Sequence, residues 1–186
     1  MKIFQIASLG LLFTYCSEVS KEKQHLVDVI NIKVSHIDAN RRTSIVEDDF
    51  HVGDSIYKIR GYFMDEILQK VVGVLHTPTI ERDDYFYFEN HEPIFSGHVL
   101  VDRSTSTASE YKYYYGGDGF VDEALFWKDH YERGKQFPHE KFEEFSPDKD
   151  SLRAAEEERL QFFLEKLSME GFEIRHLNEN ISANVQ

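Results

Sequence analysis

Asp84-Tyr85-Phe86-Tyr87-Phe88-Glu89-Asn90 decides the fold. Aromatic residues suit a pleated, half-buried surface, and Asn90 supplies a turn. Side chains alternate along a strand, so Phe86 and Phe88 share one face and Tyr85 and Tyr87 the other. The phenylalanines belong to the core, because a buried tyrosine hydroxyl needs a partner or water. The apolar run 94–101 reads as the return strand, starting after Pro93, which has no N–H for a ladder. The unit recurs. Glu110-Tyr111-Lys112-Tyr113-Tyr114-Tyr115-Gly116-Gly117-Asp118-Gly119 echoes it and is followed by 124–127. A weaker copy, Ile59-Arg60-Gly61-Tyr62-Phe63-Met64-Asp65-Glu66, precedes the apolar run 68–75. Aligned on Tyr62-Phe63, Tyr87-Phe88 and Tyr114-Tyr115, the copies recur about every 25 to 27 residues, a spacing known from repeat architectures. Three consecutive hairpins in one antiparallel meander are predicted.

Outward from that core, 25–36 is apolar and β-branched with a phase shift between Val29 and Ile30, which predicts a bulged or doubly buried strand. The polar stretch 39–54 reads as a loop, and the meander starts at Ser55. The Ser/Thr-rich stretch 102–109 is a second loop, and 128–145 dissolves into charge around Pro138. Ser146-Pro147-Asp148 is a helix start, with Ser146 as cap, Pro147 in the first turn and Asp148 on the positive dipole end. Leu152, Ala155, Leu160, Phe163, Leu164 and Leu167 then fall on one stripe, and Gly171 is the stop. A short strand over 172–177 precedes a frayed tail, 178–186. The fold class is α+β, mainly β: a meander of about six or seven strands from Val27 to Trp127, with one amphipathic C-terminal helix over 147–170 packed on it.

The chain has 186 residues, enough for one domain with a real core. Its net charge of −13 argues against nucleic acid, whose phosphates call for clustered Lys and Arg, and against an anionic membrane surface. One cysteine, Cys16, excludes an intramolecular disulfide and a cysteine-based zinc cluster. No Gly-x-Ser-x-Gly elbow, phosphate loop or dinucleotide fingerprint occurs. Gly116-Gly117-Asp118-Gly119 lies between two strands and is a hairpin turn, since a phosphate loop needs a helix N-terminus. Nine histidines invite a metal reading, but none makes a spacing that puts two ligands on one face, so no metal and no cofactor are expected. The acidic doublets Asp48-Asp49, Asp83-Asp84 and Glu143-Glu144 point to opposite strand faces and do not converge. Tyr85, Tyr87, Tyr111, Tyr113 and Tyr115 form the candidate binding face, since tyrosine is enriched at binding surfaces.

Lys2 and the apolar run 3–15 open the chain. As a helix that run spans about 20 Å, short of a hydrocarbon core of about 30 Å, and it fits a secretory signal rather than an anchor. Leu12-Phe13-Thr14-Tyr15-Cys16-Ser17 follows, then the polar Ser20-Lys21-Glu22-Lys23-Gln24. This N-terminus resembles that of a bacterial lipoprotein precursor, although Tyr15 stands where such boxes prefer a small residue. The division implied is a signal peptide over 1–15, a polar tether over 16–24, one domain over 25–177 and the tail. Gly61-Tyr62-Phe63 with Leu68-Gln69-Lys70-Val71, Tyr87-Phe88-Glu89-Asn90, and Tyr113-Tyr114-Tyr115 leading to Trp127 resemble the strand–turn–strand units of a loose group of uncharacterised bacterial lipoproteins. The resemblance covers about residues 55 to 167 and implies one role only, lipid attachment at Cys16. It places the protein in the bacterial envelope, held to the membrane by lipid. The expected function is a non-catalytic binding module for an envelope protein or glycan. Alternatives are an inhibitor or immunity protein against a basic enzyme, and a hydrolase using a histidine–carboxylate pair near His130 and His139-Glu140.

Overall fold

The structure, a computed structural model, describes residues 6–117, 121–130, 142–145 and 148–167. Helix α1 (Ile6–Ala39) leads into strands β1 (Ser44–Val52), β2 (Ser55–Met64), β3 (Ile67–His76), β4 (Ile80–Glu89), β5 (Glu92–Asp102), β6 (Thr107–Tyr115), β7 (Val121–His130) and β8 (Glu143–Glu144), and then helix α2 (Lys149–Lys166). The strands form one antiparallel sheet in chain order, β1 to β8. This is the mainly β, α+β meander that the aromatic repeats predict, with the C-terminal helix packed on it.

Turn chemistry holds the hairpins in register. Asp65-Glu66 and Asn90-His91 are two-residue connections with positive φ at both positions. That is the backbone of the tight turn whose twist matches the flanking strands. Phe86 faces Val71 on β3 and Ser96 on β5, while Tyr87 faces Lys70 and Phe95. Each residue pair therefore extends into a row across the sheet.

Both faces of the sheet are covered. On the front, Ile59, Leu68, Val71, Phe86 and Phe88 pack with Leu160, Phe163, Leu164 and Leu167 of α2. Leu167 lies over Gly61 of β2, Phe163 over Gly73 of β3, and Leu152 against Tyr113 of β6. Leu152 and Leu167 are about 15 residues apart, or about 23 Å of helix, which matches four strand spacings of about 4.8 Å. So α2 crosses the strands. On the back, α1 does the same: Lys23 pairs with Glu123 of β7, Asn31 accepts from Tyr114 of β6, and Asp38 meets Tyr87 of β4 and Lys70 of β3. Both helices run from the β7 side towards the β2 side.

Several expectations are corrected. The strand predicted over 25–36 is part of α1, as is the polar stretch 16–24. Leu26, Ile30, Val34 and Ile37, with Val27, pack on Tyr87, Phe95 and Tyr114. Their spacing of three to four is helical, and the apparent phase shift at Val29–Ile30 is that period seen against a template of two. Sheet packing of this stripe overrides the modest strand preference of its β-branched residues. The loop predicted over 39–54 contains β1. Its charged residues are cross-strand pairs, Glu47 with Arg60 and Asp49 with Lys58, at a sheet edge where charge guards against mispairing. The loop over 102–109 shrinks to 103–106, tightened by Ser104 N–H donating to Asp102 Oδ1 at 2.8 Å. β8 appears inside the charged stretch 128–145. Asp148, not Ser146, caps α2, accepting the Ser151 N–H at 2.8 Å. Ser146, Pro147, Gly171, the strand predicted over 172–177 and the tail lie outside the described residues.

Candidate functional site

On the front face, polar side chains of β4 and β5 gather in the apolar field under α2. Asp84 stands two residues before Phe86 on β4, and Ser96 and His98 stand opposite on β5, in register with Phe86 and Asp84. Strand alternation puts all of them on the core side. Glu156 comes down from α2, one turn before Leu160 on the buried stripe. Asp84 is 0%, Ser96 0%, His98 6% and Glu156 5% exposed.

His98 sits between two carboxylates. Nδ1 lies 2.6 Å from Asp84 Oδ1, and Nε2 lies 2.7 Å from Glu156 Oε2. A carboxylate oxygen accepts, so both ring nitrogens donate and the ring is an imidazolium. Burial works against that charge, but the hydrogen bonds to Asp84 and Glu156, together with their negative charge, outweigh it and raise the pKa. The same contacts act in reverse on Asp84. Burial pushes its pKa up, and the His98 hydrogen bond and the charges of His98, Arg82 and Arg159 bring it below the ordinary carboxylate value.

Both carboxylates take further donors. Arg82 Nε donates to Asp84 at 2.9–3.0 Å, and Tyr57 Oη donates to Asp84 Oδ2 at 3.1 Å. Ser96 Oγ donates to Glu156 Oε2 at 2.8 Å. That uses its one proton, so Tyr115 Oη, 3.0 Å away, donates to Ser96. Arg159 Nη1 donates to Glu156 Oε1 at 2.8 Å. It also lies 3.2 and 3.3 Å from the two His98 nitrogens. Carboxylates already occupy the in-plane directions of both nitrogens, so this near-equal approach is stacking over the ring, not hydrogen bonding.

The cluster does not end in the core. Beside it opens a cleft of about 300 Å³ lined by Arg82, His98, Leu100, Tyr111, Tyr113, Leu152, Ala155, Glu156 and Arg159. The Arg82 and Arg159 side chains in that lining are 32% and 27% exposed. Tyr111 stacks obliquely on Phe126 at 4.6 Å between ring centroids and lies 6.4 Å from Tyr113.

The five tyrosines singled out by sequence do not share a face. Tyr85 and Tyr87 point to the back, where Tyr85 Oη donates to buried Glu110 at 3.1 Å and Tyr87 Oη donates to Asp38 Oδ2 at 2.9 Å. Burial first, and then the neighbouring carboxylate, raises the pKa of both. Tyr111, Tyr113 and Tyr115 point to the front; Tyr115 is buried in the cluster, and Tyr111 and Tyr113 line the cleft. The reason is register: Tyr85 aligns with Gly97 and Lys112, so the tyrosines of β4 and β6 are out of phase. His130 is exposed at the end of β7, and His139-Glu140 and the Cys16 side chain lie outside the described residues. Among the described residues no group of three His, Cys, Asp or Glu is arranged to hold a metal ion. Comparison with protein families, with curated proteins and with solved structures finds no match to this chain.

Proposed function

We propose that the protein is a non-catalytic binding module of the bacterial envelope, held to the membrane by lipid on Cys16, and that it binds its partner in the cleft between α2 and the front of the sheet. One observation carries the binding reading: a cleft with apolar and aromatic walls, lined also by Arg82 and Arg159, lies against a cluster whose imidazole, carboxylates and Ser96 hydroxyl are already hydrogen-bonded. A pocket with apolar walls and a few placed polar groups is the usual form of a binding site. The same bonding speaks against hydrolysis. His98 has both nitrogens committed and holds its proton, so it is no general base, and Ser96 bonds to Glu156 rather than to the imidazole. The envelope address rests on the sequence of 1–16. No described helix is long and apolar enough to cross a membrane.

Two experiments test the two halves. A labelled fatty acid fed to expressing cells is expected to mark the wild type and not Cys16→Ser; equal labelling would remove the lipid anchor. Crosslinking in the native envelope is expected to capture a partner, with capture reduced at least tenfold by Tyr111→Ala or Leu152→Glu. Capture indifferent to both changes would move binding away from the cleft.

A further inference from the structure

The charges around the cleft are unequal. Among the described residues His98, Arg82 and Arg159 face Asp84 and Glu156, so three cations meet two carboxylates and one positive charge is left over. This local surplus stands in a chain whose net charge is −13. The surplus is also placed. Arg82 spends Nε on Asp84, and among the described residues its two Nη groups have no protein partner. Arg159 spends Nη1 on Glu156, which leaves Nη2. Both arginines turn Nε towards the same Asp84, Arg82 at 2.9 Å and Arg159 at 3.9 Å, and both line the cleft.

Beside the arginines the lining is apolar or aromatic: Tyr111, Tyr113, Leu152, Ala155 and Leu100, the last 38% exposed. Desolvated arginine presents a planar fork that matches a carboxylate in two parallel hydrogen bonds. A single negative charge neutralises the surplus. A dianion would add repulsion from Asp84 and Glu156 just behind the guanidinium groups. A volume of about 300 Å³ is at the small end of ligand sites, which sets an upper size near one aromatic ring with a short arm.

We propose that the cleft binds a monocarboxylate with an apolar or aromatic body, its carboxylate on the ends of Arg82 and Arg159 and its body between Tyr111, Tyr113 and Leu152. Such a group is offered equally by a small organic acid and by the C-terminus of a peptide ending in an apolar residue. The inference rests on the binding-module reading, because it takes this cleft as the binding site.

Calorimetric titration of the full chain at pH 6 with phenylacetate, phenylacetamide and inorganic phosphate tests it, and a blocked dipeptide with a free C-terminal phenylalanine separates the two sources. Phenylacetate is expected to bind at least tenfold more tightly than phenylacetamide and than phosphate. Arg82→Gln is expected to weaken phenylacetate at least tenfold and leave phenylacetamide unchanged. Arg82→Lys, which keeps the charge beside Asp84 but not the fork, should weaken phenylacetate severalfold; Arg103→Gln, elsewhere on the surface, should not. The dipeptide binding more tightly than phenylacetate identifies a chain terminus as the natural group, and the reverse order a small acid. Phenylacetamide binding as well as phenylacetate overturns the carboxylate assignment, and phosphate binding as well overturns the apolar body. If no probe binds, the ligand class is wrong; the crosslinking of Tyr111 and Leu152 variants still judges the module itself.

Discussion

His98 keeps a charge although it is only 6% exposed, and Asp84 and Glu156 are the reason. Its pKa is raised in the folded state, so it binds a proton more tightly there than in the unfolded chain. The stability this supplies is complete below the unfolded value of about 6.5 and fades as pH rises through the folded value. Asp84 has the opposite shift; its contribution is present above about pH 4 and is lost as pH falls through the lowered folded value. Urea unfolding from pH 5 to 9 should therefore show stability declining towards alkali. His98→Phe should remove most of that slope and cost about 3–5 kcal/mol, because Asp84 and Glu156 each lose a charged donor and two buried carboxylates keep only one arginine apiece. Stability that rises between pH 6 and 9, or a variant with the wild-type slope, would show that the ring is not charged. The sequence reading sets Asp83-Asp84 aside as a doublet that does not converge, yet a signal for part of this cluster was there. The alternation that puts Phe86 and Phe88 in the core puts Asp84 there too, and a lone carboxylate on an apolar face demands a partner. Glu156 was equally marked by its place between Leu152 and Leu160. The pairing of Asp84 with His98 was not readable without the hairpin register, which a bulge between Tyr87 and Phe88 shifts by one residue.

At the scale of elements, α2 is seated by what the sheet leaves out. A Cβ on Gly73 would lie 2.3 Å from Phe163 Cζ, so the ring occupies the space of the missing side chain. Phe163→Ala should cost about 3–5 kcal/mol, as for a large ring removed from a core. Gly73→Ala should cost about 1–3 kcal/mol by overpacking. The two changes share one space, so the double variant should be more stable than their sum by at least about 0.5 kcal/mol. Strict additivity in urea midpoints would mean that the ring sits elsewhere. The hairpin turns allow a gain instead. His91 holds φ at 70°, a conformation that costs a residue with a Cβ about 1 kcal/mol. His91→Gly should thus raise the unfolding midpoint slightly, and a fall would place the turn in another geometry. The repeats made the hairpins legible because aromatic alternation and turn residues speak for one period. α1 was not legible, since β-branched residues at helical spacing look like a strand when only neighbours two apart are compared. β1 was missed for a different reason. An edge strand that answers Lys58 and Arg60 with Asp49 and Glu47 has a loop's composition.

For the molecule as a whole, the two helices cover overlapping but unequal parts of the sheet. From their contacts α1 spans β3 to β7 on the back and α2 spans β2 to β6 on the front, so among the described residues only the middle strands are covered twice. Several of the exposed apolar residues follow that geometry: Ile45 and Val46 of β1 are 56% and 44% exposed, and Ile56 and Ile67 of β2 and β3 stand at 41% and 39%. Burial on both sides is what ties a strand's opening to global unfolding, while a strand with one partner and little cover opens alone. Amide hydrogen exchange should therefore grade across the sheet. Amides of β4 and β5 should exchange only through global unfolding, with protection that tracks the urea stability measured above. Those of β1 should exchange at least a hundredfold faster, and His98→Phe should lower the protection of β4 and β5 while leaving β1 unchanged. Protection in β1 equal to that in β4 would mean that the edge is covered in solution, by a second copy or by the partner, and the exposed Ile45 and Val46 would then mark where.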